Sequence, residues 1–139
     1  MTDIILSADQ SHILTALLNK IHKESKAAFT LLNHSAGNTI AQVGQYPGPD
    51  SSVFSALASA SYASISSIIS SLGDEMFDSM NLRCKKWTLC ILPINMSVQL
   101  VFIFESANLP ILTKTLISEW KTNLEEVIHF FGQTSQIRQ

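Results

Sequence analysis

The chain has 139 residues, and its nine Lys and Arg against eleven Asp and Glu give a formal net charge of −2. This length predicts a single domain, residues 1–139, that can bury its own core. The charge balance argues against a nucleic-acid binder, which usually carries a basic patch. Charged residues make up only 14% of the chain, against about 25% in ordinary globular proteins. We therefore expect part of the surface to be covered by another molecule.

The cellular setting is predicted from what the sequence lacks. Cys84 and Cys90 are too few for a disulfide framework, and no secretory signal pattern opens the chain. No run of about 18 apolar residues is present, so we expect no membrane span. These features predict a soluble, reduced, cytoplasmic protein.

The first third of the chain predicts a helix followed by a hairpin. Ser7 and Gln10 have the spacing of a capping box, and apolar residues recur at helical spacing to about Ser25. Residues 27–32 are predicted to form a short buried strand, and residues 39–44 its hairpin partner across the turn at 34–38. Prolines in the loop at residues 46–50 prevent the second strand from continuing.

A serine-rich segment follows, and ten of residues 51–71 are serine. Serine favours disorder, but the apolar residues fall in one arc of a helical wheel at about 100° per residue. The arc contains Phe54, Leu57, Ala58, Tyr62, Ile65, Ile68, Ile69 and Leu72. We therefore predict a second helix, with Asp50 or Ser51 as N-cap and Gly73 at its C-terminal end.

Small residues occupy the opposite side of this helix, and no charged residue occurs between positions 51 and 72. The small residues are Ala56, Ser59, Ala60, Ala63, Ser67 and Ser70. A solvated helix face normally carries charge, so two interpretations remain. The face is either an unusual neutral surface, or it packs closely on another helix, since small residues allow two backbones to approach.

The last part of the chain predicts three strands and a helix. Residues 76–83 form a third strand at the sheet edge, residues 83–86 a basic turn, and residues 87–92 an alternating fourth strand. The apolar residues 98–104 form a central strand covered on both faces. A third helix is predicted from the Asn108 cap to Gly132, with residues 132–139 as a flexible tail. The fold class is therefore α+β, a five-stranded antiparallel sheet covered by three helices in the order αββαβββα.

Catalytic chemistry is not visible. No phosphate loop, dinucleotide fingerprint or nucleophile elbow occurs, and the four histidines lack ligand spacing. We predict no catalytic residue, cofactor or metal. Arg83, Lys85 and Lys86 are interpreted as a solvated turn, with an acidic or phosphate partner as the alternative. Trp87 and Trp120 are interpreted as core or half-buried anchors.

Four segments taken in order resemble the roadblock domain family over residues 7–131. They are the hairpin at residues 31–44, the Ala/Leu-rich stretch at 55–60, the Leu-Gly-Asp-Glu stretch at 72–77 and the apolar strand at 98–105. The length and the 72–77 stretch are most similar to the bacterial gliding-motility roadblock proteins.

This resemblance implies a non-enzymatic homodimer that binds a small Ras-like GTPase and modulates its nucleotide cycle without supplying an arginine finger. The third strand would pair with its mate across the dimer axis. The implied interface consists of the six small residues of the second helix together with Phe77 and Ser79. Two alternatives stay open, which are a scaffold subunit paired with another roadblock chain and a small-ligand sensor.

Overall fold

The computed structural model describes the backbone of residues 6–137 and the side chains of residues 6–131. The elements follow the predicted order αββαβββα, so the predicted fold class is confirmed. They are α1 (Ala8–Ser25), β1 (Phe29–His34), β2 (Thr39–Gly44), α2 (Ser51–Ser71), β3 (Met80–Arg83), β4 (Trp87–Pro93), β5 (Val98–Glu105) and α3 (Lys114–Ile137).

The five strands form one sheet in the order β2-β1-β5-β4-β3, and every neighbouring pair is antiparallel. β5 lies in the centre, where Val101 pairs with Leu31 of β1 on one side and with Ile91 of β4 on the other. All residues of β5 except Glu105 are buried, as predicted for its apolar run. β3 lies at the edge of the sheet, also as predicted.

The two faces of the sheet are covered differently. α1 and α3 cover one face, and their side chains form a large apolar cluster with the even-numbered residues of β4 and β5. Trp120 of α3 is 1% exposed at the centre of this cluster, and its Nε1 donates to Glu24 Oε1 at 3.1 Å. α2 is the helix that covers the other face, over a smaller cluster that includes Phe29, Val101 and Tyr62.

Helix and strand ends explain most differences from the sequence prediction. β1 begins at Phe29 rather than residue 27, and β3 is limited to Met80–Arg83. α3 begins only at Lys114, after a separate 3-10 turn at residues 106–108, and Thr113 Oγ1 accepts from the Leu116 amide at 3.2 Å. The prediction that this helix ends at Gly132 is wrong, since α3 continues to Ile137. A single glycine costs a helix only about 1 kcal/mol.

Candidate interaction surface

α2 begins at a strong N-cap. Asp50 Oδ1 accepts from the Ser52 amide at 2.9 Å, from the Ser52 hydroxyl at 2.6 Å and from the Val53 amide at 3.5 Å. These hydrogen bonds, the Ser52 side chain first, lower the pKa of the Asp50 carboxyl. The cap satisfies amide groups at the helix N-terminus that have no partner within the helix, so the position at which α2 begins is well defined.

Polar contacts seat the first half of α2 on β1. Asn33 Nδ2 donates to the Ser55 carbonyl at 3.1 Å and to Ser59 Oγ at 3.0 Å. Ser59 Oγ in turn donates to the His34 carbonyl at 2.8 Å, and Ser55 Oγ donates to the Gly37 carbonyl at 3.2 Å. Hydrogen bonds between the helix and the end of β1 therefore fix the rotation of α2.

This rotation differs from the one that the apolar pattern predicted. The buried residues of α2 are Ser55, Ala58, Ser59 and Tyr62. With 3.6 residues per turn, the centre of this buried side lies about a quarter of a turn from the centre of the predicted apolar arc. The sequence-based orientation was wrong because it counted apolar side chains alone, whereas buried serines bind the sheet.

The first consequence is an exposed row of large side chains. Leu57 is 62% exposed, Ile68 is 54% exposed and Leu72 is 74% exposed, although all three were predicted to face the core. We call these residues the apolar flank. Val53, nearer the outermost side of the helix, is also exposed. Sequence reasoning missed this surface, because no local pattern shows that Ser55 and Ser59, four residues apart, face the sheet.

The second consequence concerns the small residues. Five of the six are exposed on the other side of α2, and we call them the small flank: Ala56, Ala60, Ala63, Ser67 and Ser70. The sixth, Ser59, was expected on this outer side, but it is 3% exposed and bonded to β1. Its placement corrects the sequence prediction, because Ser59 cannot contact a partner while it bonds to its own sheet.

The remaining predicted interface residues lie between α2 and the sheet edge. Phe77 is half-buried and packs against Tyr62, with ring centroids 5.8 Å apart. The Tyr62 hydroxyl lies 3.3 Å from Met76 Sδ. Ser79 is exposed one residue before β3. Phe77 therefore anchors the connection between α2 and β3, while Ser79 lies at the edge itself.

β3 is itself exposed. It pairs with β4 on one side only, through the register Met80 with Ile91 to Arg83 with Thr88, and it has no second neighbour among the described strands. Leu82 is 51% exposed on the face that carries α2. An exposed edge strand can pair with another strand through its free backbone groups, so β3 as well as α2 is available to a partner.

The basic side chains of the predicted turn, Arg83, Lys85 and Lys86, are exposed. Lys86 Nζ lies 5.7 Å from the centroid of the Trp87 ring, and Lys85 is exposed. Within residues 6–131 the side chains contain no group of three His, Cys, Asp or Glu that could hold a metal ion. Burial lowers the pKa of His22 and raises the pKa of the Cys90 thiol to about 11, and these two groups lie on different elements.

One helix of the described part of the chain, α2, is long and apolar enough to cross a membrane by length and composition alone, with a mean hydropathy of 1.4. No membrane span was predicted from the sequence, because it contains no run of about 18 apolar residues. In the structure the helix lies on the sheet, with four of its side chains buried there.

Comparison with solved structures finds the same fold in bacterial gliding proteins. An MglB structure with a tetrameric arrangement has a TM-score of 0.80 and 16% identity, covering 94% of this chain and 98% of that one. The gliding protein MglB from Thermus thermophilus has a TM-score of 0.77 and 16% identity, covering 93% and 98%. A roadblock/LC7 domain from Streptomyces avermitilis has a TM-score of 0.66 and 15% identity, covering 86% and 97%.

No family model matches the sequence, and no curated protein is significantly similar to it. The similarity to the solved structures nevertheless extends over nearly the whole of each chain. The fold is therefore that of MglB and of the roadblock/LC7 domain, as the sequence resemblance implied.

Proposed function

We propose that this protein is a non-enzymatic, cytoplasmic roadblock-fold regulator that forms a homodimer and binds a small Ras-like GTPase. The observation that carries the proposal is the outer surface of α2, where a helix of 21 residues has no charged side chain and leaves two flanks uncovered. A monomeric soluble protein rarely exposes a continuous surface of this kind, so we infer that partners cover it.

The small flank is suited to a second copy of the chain. Alanine and serine side chains allow two helix backbones to approach closely, and a two-fold axis brings the same surface of each copy together. β3 is an edge strand, so the β3 of a second copy can pair with it and extend the sheet. The MglB structure with a tetrameric arrangement also supports self-association in proteins of this fold. We propose that the small flank, Phe77, Ser79 and β3 form this interface.

The apolar flank is suited to a different partner. Its side chains, Leu57, Ile68 and Leu72, are too large for close helix pairing. Their exposure is typical of the hydrophobic centre of a protein–protein interface. The resemblance to gliding-motility roadblock proteins supports a small Ras-like GTPase as that partner. We propose that the paired α2 helices form the platform on which the GTPase sits, and that the dimer acts on the nucleotide cycle by ordering the GTPase's own residues.

Sedimentation and binding measurements test the two parts separately. The dilute protein is expected to sediment as a dimer, and a monomer at micromolar concentration would contradict the proposal. Leu57→Glu and Ile68→Glu are expected to leave the dimer intact but to reduce binding of a small Ras-like GTPase from the same organism. Ala16→Glu, at an exposed alanine of α1, is the matched control. A dimer that binds no GTPase would favour the scaffold alternative.

A further inference from the structure

A cleft opens on the face of the sheet opposite α2, between the edge strand and the segment that leads into α3. Its volume is about 430 Å³, within the range of small-molecule sites, about 300–1,000 Å³. The floor is formed by Cys90, Leu92 and Phe104, which are 3%, 0% and 3% exposed. The floor therefore consists of core side chains that are almost fully buried, and the cleft reaches down to them.

The second wall is also apolar. Leu112 and Ile117, before and within the first turn of α3, line it together with Leu109. Burial in these surroundings raises the pKa of the Cys90 thiol to about 11, as expected where a charged form is poorly solvated. An occupant of the inner cleft must therefore be apolar.

The mouth of the cleft has the opposite character. Arg83 and Asn81 of β3 line it, and both are exposed. The Arg83 guanidinium makes no hydrogen bond or ion pair with any residue of the described chain. No acidic side chain is among the described residues that line the cleft. A planar guanidinium with no partner among the described residues is suited to hold a carboxylate or phosphate through two parallel hydrogen bonds.

We propose that this cleft binds an anionic amphiphile, a small molecule with one negatively charged head group and an unbranched aliphatic tail. The head group lies at the mouth against Arg83, and the tail lies on the apolar floor between β4 and the start of α3. Charge complementarity identifies the head group, and burial of apolar surface identifies the tail. The site lies on the other face of the sheet from α2, away from the proposed GTPase platform, and Ser79 and β3 place its mouth beside the proposed dimer interface.

Calorimetry with decanoate tests the proposal, with decanol and decyltrimethylammonium as neutral and cationic probes of the same tail length. Decanoate is expected to bind and to raise the melting temperature, while the other two bind much more weakly. Decyl phosphate determines which head group is preferred, and tighter binding of either anion supports the proposal. Equal binding of decanol and decanoate would overturn it.

Two variants test whether the head group lies against Arg83. Arg83→Gln is expected to weaken decanoate binding about tenfold, because a charge-assisted hydrogen bond is lost at a partly solvated position. Lys85→Gln removes a neighbouring exposed cation that does not line the cleft, and it is expected to change the affinity less than about twofold. Equal losses in the two variants would mean nonspecific attraction and would overturn the proposal.

The reactivity of the Cys90 thiol tests whether the tail lies on the floor of the cleft. Cys84 and Cys90 are the only cysteines of the chain, so in a Cys84→Ser background only Cys90 reacts with N-ethylmaleimide. Decanoate is expected to slow this reaction in proportion to occupancy of the cleft. Binding without any protection of Cys90 would place the ligand elsewhere and contradict the proposal.

Discussion

At the scale of single residues, two glycines with similar backbone angles differ in their surroundings. Gly44, at the end of β2, has φ +89, and a Cβ there would lie 2.5 Å from the Ala28 carbonyl oxygen and 2.8 Å from His22 Cε1. Gly73, after α2, has φ +77, and nothing lies within 4 Å of its Cβ position. One position therefore requires glycine for both conformation and space, and the other for conformation alone.

We expect Gly73→Ala to lower the free energy of unfolding by about 1–2 kcal/mol, which is the cost of a left-handed backbone for an L-residue. Gly44→Ala is expected to cost clearly more, because a backbone oxygen cannot move aside as a flexible side chain can. Urea unfolding of both variants measures the difference. Equal losses would show that the β2 end relaxes without cost.

His22, in the same region, makes the stability of the protein depend on pH. Its Nδ1 lies 2.7 Å from Oγ1 of the fully buried Thr30, and burial lowers the pKa of the imidazole. The unfolded state therefore binds the proton more readily, and stability is lost as pH falls through about 6.5 towards the lower folded value.

The wild-type protein is expected to lose more unfolding free energy than His22→Gln between about pH 7.5 and about pH 5.5. The variant carries no titratable group at this position, so acidic residues elsewhere contribute equally to both proteins. Denaturant unfolding at the two pH values measures the difference. Parallel losses in the two proteins would contradict the assignment to His22.

At the scale of elements, the orientation of α2 decides which residues are available to a partner. Ala60 and Ala63 belong to the small flank and are exposed in the single chain. In the proposed dimer they lie between two closely packed helices, where a carboxylate would lose its water without gaining a partner.

Ala60→Glu and Ala63→Glu are expected to dissociate the dimer, at a cost of several kcal/mol, and to leave the fold of the monomer intact. Ala16→Glu on α1 is expected to change stability by less than about 0.5 kcal/mol. Sedimentation and circular dichroism measure assembly and fold. If both small-flank variants remain dimeric with unchanged melting, this flank faces solvent and the interface lies elsewhere on α2 or β3.

The sequence predicted the elements better than it predicted the rotation of α2. Each strand was found because apolar alternation and turn residues act locally, and the αββαβββα order follows from them. The rotation of α2 depends on Asn33, Ser55 and Ser59, which form hydrogen bonds between residues more than 20 positions apart. No local pattern shows which serine meets a buried amide. The exposure of Leu57 and Ile68 therefore became clear only in three dimensions.

Termini of elements were missed for a related reason. Asn108 and Pro110 have the sequence features of a helix start, yet the chain forms a 3-10 turn at residues 106–108 and begins α3 only at Lys114. Ser106 contacts the turn before β4, where its Oγ donates to the Cys84 carbonyl at 2.7 Å. A contact with the turn before β4 accompanies the delayed start of α3, and Leu109 and Leu112 of the cleft wall therefore lie before the helix.

At the scale of the whole molecule, we propose that the two faces of the sheet bind different partners. The α2 face carries the proposed dimer and GTPase surfaces, and the α1–α3 face carries the large core and the cleft beside Arg83. Arg83, Lys85 and Lys86 all lie at the turn between β3 and β4. A cation at this turn could be mistaken for a catalytic contribution to a GTPase.

In the proposed complex two chains bind one GTPase, because a single globular partner on the two-fold axis blocks the second copy of the same surface. Hydrolysis is then accelerated by ordering the switch residues of the GTPase, which shifts a population of conformations and adds no catalytic charge. Replacing Arg83, Lys85 and Lys86 by alanine is expected to weaken binding at most. Once the complex is saturated, the hydrolysis rate should be retained.

Single-turnover hydrolysis at saturating dimer measures this rate without the contribution of affinity. A supplied arginine finger contributes about 10³–10⁵-fold to turnover, so its loss could not be mistaken for a small change in ordering. Lys85→Ala alone is the control for general loss of positive charge. If Arg83→Ala lowers the saturated rate by a factor of that size while Lys85→Ala does not, the protein supplies a catalytic residue. In that case the turn between β3 and β4, rather than the paired α2 helices, must face the bound nucleotide.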